Sequence, residues 1–170
     1  MTEERKSEEQ EKEIGHYEKM ARRVKELIEE TKEKTSSTVG AAIEKAKEEM
    51  VVAGEFTHER GERLKAFMER DLQVTSRFAS QAGSAAKEVL EPHRVAAGLQ
   101  STLATILETV GEKFEEWGRK LEADLDFKTG EITTPGTLRC KKCGATVQMK
   151  HTGHIPPCPK CTASEFHKSW

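Results

Sequence analysis

The sequence predicts a mainly α fold followed by a small β module at the carboxyl end. Three observations lead to this prediction. Charged residues make up 34% of the 170 residues and hydrophobic ones only 35%, below the roughly 45–50% apolar share of an ordinary globular domain. Apolar residues recur at helical spacing over long stretches before residue 127, and all four cysteines come after it. A single large enzyme with a thick core is therefore not expected.

Apolar stripes define the first two predicted helices. Residues spaced three and four apart lie on one face of a helix. Two such series precede Gly54, namely Ile14, Tyr17, Ala21, Val24 and Ile28, followed by Val39, Ile43, Ala46, Met50 and Ala53. Gly54 suits the left-handed conformation after a helix end, and Thr57 is a predicted N-cap. Residues 1–12 are nearly all charged or polar, which predicts disorder.

Two further helices of unequal regularity are predicted after Thr57. The third helix has polar Asp71 and Gln81 at positions in its apolar seam. Pro92 lacks a backbone donor and disfavours helix at Glu91, which predicts a break. The most regular stripe of the chain follows that break, with Leu99, Leu103, Ile106, Val110, Phe114, Trp117, Leu121 and Leu125.

Narrow apolar stripes favour the pairing of helices. We expect residues 13–127 to form an antiparallel coiled-coil-like bundle, or to pair with a second copy of the chain. Residues 128–136 are a predicted linker and residues 137–170 a separate module. Dividing the chain after Phe127 gives a net charge of -7 before the division and +5 after it. The two parts are therefore chemically different.

The composition predicts a cytoplasmic protein that does not bind membranes. The sequence has no run of about 18 apolar residues, and its first residues are too charged for the centre of a signal peptide. Acidic residues outnumber basic ones in the predicted helices, whereas helices on a membrane surface normally present Lys and Arg to the lipid.

The four cysteines form two C-x2-C pairs separated by 14 residues: Cys140, Cys143, Cys158 and Cys161. Clustered cysteines in a cytosolic chain are more often metal ligands than disulfide partners, and two such pairs complete the tetrahedron of a structural zinc ion. Short predicted strands at residues 137–139, 146–149 and 165–167 surround them. The sequence thus predicts a zinc ribbon that holds one zinc ion. We expect it to fold only with metal, since zinc contributes about 10–16 kcal/mol in small peptide sites.

Other chemistry at these cysteines remains open. A rubredoxin-type iron or an iron–sulfur site uses the same four sulfurs. A thioredoxin-like redox pair needs a strand–helix–strand setting that neither pair has. His151 and His154 lie nearby, but four thiolates already close the site, whereas a catalytic zinc keeps one position open. Gly144 follows the first pair, where we expect a side chain to crowd the backbone N–H groups.

The rest of the sequence carries no catalytic motif. It lacks G-x-S-x-G, H-E-x-x-H and a Gly-rich phosphate loop. His16, His58 and His93 are interpreted as solvent-facing residues. We therefore expect no enzymatic activity, no catalytic residues and no small-molecule substrate.

The cysteine segment and the order of the elements resemble the bacterial zinc-ribbon-containing proteins typified by YbeL. The specific part of the resemblance is residues 136–161, with C-x2-C-G and C-P-x-C, and weaker similarity covers residues 17–26, 54–57, 69–72, 114–125 and 129–131. Residues 80–100 depart from the pattern. The resemblance implies a small bacterial protein with no established enzymatic activity, in which the four cysteines are the metal ligands.

Two functions are consistent with this organisation. The first is a non-enzymatic adaptor whose helices self-associate or bind a protein while the ribbon presents a second surface. The alternative is nucleic-acid binding through the ribbon, associated with transcription or translation machinery. Its basic residues and aromatic stacking groups are Arg139, Lys141, Lys142, Lys150, Lys160, Lys168, Phe166 and Trp170. Four thiolates around zinc would lower the ribbon charge to about +3, which weakens this alternative.

Overall fold

A computed structural model describes residues 3–31, 36–82, 102, 105–106 and 126–169. Three long helices come first: α1 (Glu3–Glu30), α2 (Ser36–Val52) and α3 (His58–Ala82). Six short strands follow: β1 (Asp126–Lys128), β2 (Ile132–Thr133), β3 (Gly136–Cys140), β4 (Thr146–Met149), β5 (Gly153–His154) and β6 (Glu165–Ser169). Over these residues the fold is mixed α and β, so "mainly α" describes it only in part.

The three helices pack as consecutive antiparallel neighbours. Lys19 of α1 pairs with Glu55 just after α2, whereas Arg23, one turn further along α1, pairs with Glu49, further back in α2, so the two helices run in opposite directions. Lys65 of α3 pairs with Glu44 of α2 at 2.6 Å. The predicted stripes of α1 and α2 supply most of the helical core, which is formed by Tyr17, Met20, Ala21, Val24, Leu27, Ile28, Val39, Ala42, Ile43, Ala46, Met50, Leu64, Met68 and Leu72.

The turn between α2 and α3 confirms two sequence predictions. Gly54 has a φ of 73°, and the Glu55 N–H donates to the Met50 carbonyl at 3.0 Å while the Gly54 N–H donates to the Val51 carbonyl. This pair of bonds is a Schellman motif, which satisfies carbonyls that the helix end leaves without partners. At the start of α3 the Thr57 hydroxyl accepts the N–H of Arg60 at 3.3 Å, as an N-cap does.

The amino end differs from the prediction of disorder over residues 1–12. Helix α1 begins at Glu3. Two physical reasons account for this. Glutamate, lysine and arginine are good helix formers. Directly after residue 12, Glu13 contacts Arg63 of α3 and His154 of β5, which holds this part of α1 against the rest of the molecule. Helix α1 therefore extends into the segment for which the polar composition predicts disorder.

The boundary between helices and β module also differs from the predicted linker at residues 128–136. Strand β1 already begins at Asp126, and Phe127 pairs in register with Phe166 of β6. Both rings are fully buried in the ribbon core. Residues 128–136 contain the end of β1, a turn, β2 and the start of β3. Phe127 therefore belongs to the β module and not to the helical region.

The β module consists of two antiparallel sheets. The larger one has the strand order β1-β6-β3-β4, and β2 pairs with β5 in a separate two-stranded sheet. The strands predicted at residues 137–139, 146–149 and 165–167 are confirmed. Strand β2 also joins the two parts of the molecule, because Ile132 is buried in the helical core.

Part of the sequence interpretation lies outside the described residues. This applies to Gln81 as a seam side chain, to the break at Pro92 and to most of the stripe from Leu99 to Leu125. Ile106 of that stripe is described: it is helical and buried against the helical core. Within the described helices, none combines the length and the apolar character needed to cross a bilayer.

The close approach of α2 and α3 predicts opposite effects of two Gly-to-Ala substitutions. A Cβ at Gly61 would lie 2.9 Å from both Lys47 Cγ and Phe56 Cε2, whereas nothing lies within 4 Å of one at Gly15. We expect Gly61→Ala to lower the free energy of unfolding by about 1–2 kcal/mol through overpacking. Gly15→Ala should raise it by about 0.5–1 kcal/mol through helix propensity. Urea denaturation measures both, and a stabilising Gly61→Ala would contradict the packing.

Candidate metal centre

The sulfur atoms of the four predicted ligands lie together at one end of the larger sheet. The Cys140 and Cys161 sulfurs are 3.7 Å apart, the Cys143 and Cys158 sulfurs are 3.6 Å apart, and all four lie within 4.8 Å of one another. These distances are too long for disulfides, whose S–S bond is about 2.05 Å. Zinc with Zn–S bonds of about 2.3 Å requires sulfurs about 3.8 Å apart at the corners of a tetrahedron. The cluster therefore fits a tetrathiolate zinc ion.

The two cysteine turns have the same backbone hydrogen bonds. In the first turn the Cys140 N–H donates to the Ala145 carbonyl at 2.8 Å, and the Gly144 N–H donates to the Cys140 carbonyl at 2.9 Å. In the second turn Cys158 bonds in the same way to Ala163 at 3.0 Å and to Thr162 at 2.8 Å. Each turn thus presents its two sulfurs to a shared centre.

Gly144 and Thr162 occupy the equivalent left-handed position in these turns. Their φ angles are 71° and 56°. No atom lies within 4 Å of a Cβ built at Gly144, so the predicted crowding is wrong and the backbone angle is the reason for glycine. At Thr162 a β-branched residue adopts an angle that such residues rarely tolerate, and its hydroxyl donates to the Cys161 carbonyl at 2.7 Å.

The thiols perturb one another. Burial raises the pKa of the Cys158 thiol. Hydrogen bonds from the backbone N–H groups of Lys160 and Cys161 outweigh that effect, so the pKa falls to about 6. At Cys161 the N–H of Ala163 lowers the pKa, whereas the sulfur of Cys143 and the other neighbouring thiols raise it to about 12. Negative charge on one sulfur therefore disfavours charge on the next, and a bound cation would compensate it.

The neighbouring histidines are not arranged as further ligands. Among the described residues, the group of side chains close enough to share a metal ion consists of the four cysteines. His151 is exposed. The Nδ1 atom of His154 lies 2.7 Å from the Gly130 carbonyl, and its Nε2 atom lies 3.6 Å from Glu13 of α1. His154 thus belongs to the contact between α1 and the ribbon.

The histidines that precede the ribbon are all predicted to face solvent, and the structure confirms this for one of them and contradicts it for another. His58 is 73% exposed, as predicted. His16 is partly buried and packs edge-on against Phe56 with 5.5 Å between the ring centroids, so its interpretation as a solvent-facing residue is wrong. His93 lies outside the described residues.

A comparison with models of protein families matches residues 26–169 to the zinc-ribbon containing domain. The chain belongs to this zinc-ribbon family. Curated relatives include the uncharacterized protein YbeL of Escherichia coli, from strains K12, O6:H1 and O157:H7. Each is 24% identical over 153 residues, which cover 88% of this chain and 96% of YbeL. No solved structure matches the chain. The resemblance inferred from the motifs is therefore confirmed.

The ribbon residues named for nucleic-acid binding fall into two groups. Arg139, Lys142, Lys150 and Lys160 are exposed. Phe166 is fully buried in the ribbon core and the Lys168 side chain is 1% exposed, so neither can contact a nucleic acid. Lys141 forms an ion pair with Asp126. Trp170 lies outside the described residues.

Sequence reasoning missed the role of Asp71, which was interpreted as an imperfection in an apolar seam. Its carboxylate is fully buried between the helices and the ribbon. It accepts hydrogen bonds from the Tyr17 hydroxyl (2.9 Å), the Thr133 hydroxyl (2.9 Å) and the Thr134 N–H (3.0 Å). The Lys168 ammonium lies 3.7 Å from Oδ1. The signal available in the sequence was an acidic residue at a core-facing position.

Arg70 makes the adjacent contact between α3 and the ribbon. Its guanidinium donates to the carbonyl of Ile132 at 3.1 Å and pairs with Glu131. It also stacks over the Phe127 ring at 4.0 Å and lies 5.3 Å from the Phe67 ring. A planar, delocalised cation suits this position between two aromatic rings, which an ammonium would fill poorly.

The left-handed position in the first cysteine turn predicts a selective effect of added side chains. We expect Gly144→Ala to lower the stability of the metal-bound ribbon by about 1–2 kcal/mol, the cost of a left-handed conformation for a residue with a Cβ. Gly153→Ala is the matched control, because its Cβ would meet only ordinary contacts, the nearest at 3.8 Å from Met149 Cε. Thermal unfolding with bound zinc compares the two, and equal effects would contradict the assignment.

Proposed function

We propose that this protein is a non-enzymatic zinc-binding adaptor that holds one structural zinc ion through Cys140, Cys143, Cys158 and Cys161. The observation that carries the proposal is the spacing of the four sulfurs, with closest pairs at 3.6 and 3.7 Å. Four thiolates fill all positions of a tetrahedral zinc ion, and closed sites of this kind are structural. The bound ion would contribute two positive charges and four bonds to the ribbon.

The role of the zinc would be to hold the ribbon together. The buried core of the ribbon comprises Phe127, Leu138, Ile155, Phe166 and two of the ligands themselves, Cys140 and Cys158. So small a core does not stabilise a domain without a metal or disulfides. Without the metal, two of the six buried side chains would be thiols that no ion joins to the other two cysteines.

The adaptor part of the proposal rests on the exposed surfaces of the two regions. The helices present long charged faces, for example Arg22 and Glu48, while the ribbon presents basic residues such as Lys142 and Lys160 beside the cysteines. Protein recognition, by a partner or by a second copy of the chain, would use these faces. The alternative of nucleic-acid binding through the ribbon stays a prediction, and the burial of Phe166 and Lys168 weakens its support.

Metal analysis of the purified full chain tests the zinc site. We expect one zinc ion per chain by native mass spectrometry, and X-ray absorption should give four sulfur neighbours at about 2.3 Å. Cys158→Ser should weaken zinc binding by more than the roughly 10–100-fold typical of changes outside the ligand set. His151→Ala is the control and should bind zinc normally. Stoichiometric iron, or no bound metal, would contradict the proposal.

The adaptor role is tested with the full chain, because α3 packs against β2. A cut after Phe127 would also separate this buried residue from the rest of the ribbon core. Sedimentation of the zinc-bound protein and affinity capture from its own cells measure self-association and partner binding. We expect at least one of the two, and we expect Cys158→Ser to reduce it. A zinc-bound monomer that retains no partner, under conditions that preserve metal binding, would rule out the adaptor role.

A further inference from the structure

A continuous path through the larger sheet connects the cysteines to the buried carboxylate of Asp71. On β6, Phe166 pairs with Cys140 of β3, and Lys168, two residues further on, pairs with Leu138. Alternate residues of a strand lie on the same face, so Phe166 and Lys168 both point to the buried side. Strand β6 thus carries Phe166 at the end of the sheet near the cysteines and Lys168 at the end that contacts the helices.

Lys168 is held in a cavity that the ribbon itself builds. Its ammonium donates to the Thr133 hydroxyl at 3.0 Å, the Thr134 carbonyl at 2.9 Å and the Thr134 hydroxyl at 2.6 Å. Gly136, with a φ of 150°, makes room for it, since a Cβ there would lie 2.8 Å from Lys168 Cε. Burial lowers the pKa of Lys168, and the Asp71 carboxylate opposes that effect. The folded ribbon therefore fixes the amino group of Lys168 at the position where Asp71 enters.

On the helix side, Asp71 depends on the ribbon for three of its four polar contacts. Thr133, the Thr134 N–H and Lys168 come from the ribbon, and the Tyr17 hydroxyl is the contact from the helices. A buried carboxylate that loses its partners strongly destabilises the folded state. If the ribbon unfolds, the carboxylate must reach water, and the packing of Tyr17 on α3 must open to allow it.

We propose that the Asp71–Lys168 contact couples the metal centre to the helices, so that zinc binding closes the junction of α1 and α3 with the ribbon and zinc loss opens it. This inference rests on the zinc site proposed above. It adds a consequence that metal binding alone does not require: a change in the helices, away from the sulfurs. By reciprocity, weakening the junction weakens zinc binding.

Tyr17 is the one tyrosine of the chain, which makes it a specific probe of the junction. In full-length zinc-bound protein labelled with 3-fluorotyrosine, we expect a single fluorine resonance without a solvent-isotope shift. A zinc chelator should move it to a solvent-exposed position, and added zinc should restore it. A resonance that stays buried in zinc-free protein would overturn the coupling while leaving the zinc site intact.

The reciprocal experiment measures zinc affinity in junction variants that keep all four cysteines. We expect Asp71→Asn and Lys168→Met each to weaken zinc binding about ten-fold or more, within the usual range of coupling between sites. Glu48→Gln, at an exposed position on α2, is the matched control and should leave the affinity unchanged. If Asp71→Asn loses helical circular dichroism, Lys168→Met and Thr133→Val on the ribbon side decide the result.

The two proposals fail in distinguishable ways. Wild-type protein without stoichiometric zinc would overturn the zinc site and the coupling together. Stoichiometric zinc with unchanged affinity in Lys168→Met and Thr133→Val, and an unmoved fluorine resonance on chelation, would overturn the coupling alone.

Discussion

The burial of the Asp71 carboxylate is the constraint on which the arrangement of the molecule depends. A charge with no exposed surface needs compensating partners, and those of Asp71 come from three separate parts of the chain: α1, β2 with the residue after it, and β6. The contact between α1 and α3 at Tyr17 and Asp71 therefore includes groups that the ribbon supplies. Because Ile132 adds apolar contact at the same place, the junction combines a hydrophobic seam with a satisfied polar centre.

The two regions are stabilised by different physical means. The helical region has a conventional core of aliphatic side chains from α1, α2 and α3, with ion pairs such as Arg23–Glu49 along its surface. Exposed pairs of this kind contribute little individually, so the apolar stripes supply most of the stability. The ribbon has a core of only six buried residues, two of them cysteines, so the proposed zinc ion would supply cohesion that this small core lacks.

Local patterns made much of this structure predictable, and long-range contacts account for what was not. Helical periodicity identified the buried faces of α1 and α2, and the spacing of the cysteines identified the site, because the residues that carry each signal lie within one short stretch of the sequence. The role of Asp71 depends on residues more than 60 positions away, such as Thr133, so no local window contains it. Phe127 was assigned to the wrong region for the same reason, since its partner Phe166 lies near the other end of the ribbon.

The charge asymmetry of the sequence has an explanation within the molecule. Division after Phe127 leaves net charges of -7 and +5, which from composition alone points to an anionic partner for the ribbon. Part of this opposite charge is instead used internally: Lys168 lies beside Asp71 of α3, and Lys141 pairs with Asp126 within the ribbon. Basic residues that form such internal contacts are less available to bind phosphate. In the proposed adaptor role, a partner of the ribbon would meet what docking leaves exposed, chiefly the lysines of the two cysteine turns, Lys142 and Lys160, and a zinc ion bound by four thiolates beside them would carry negative charge. With zinc bound as proposed, that mixture of charges would suit a protein surface better than a polyanion, which is why the adaptor role is proposed first.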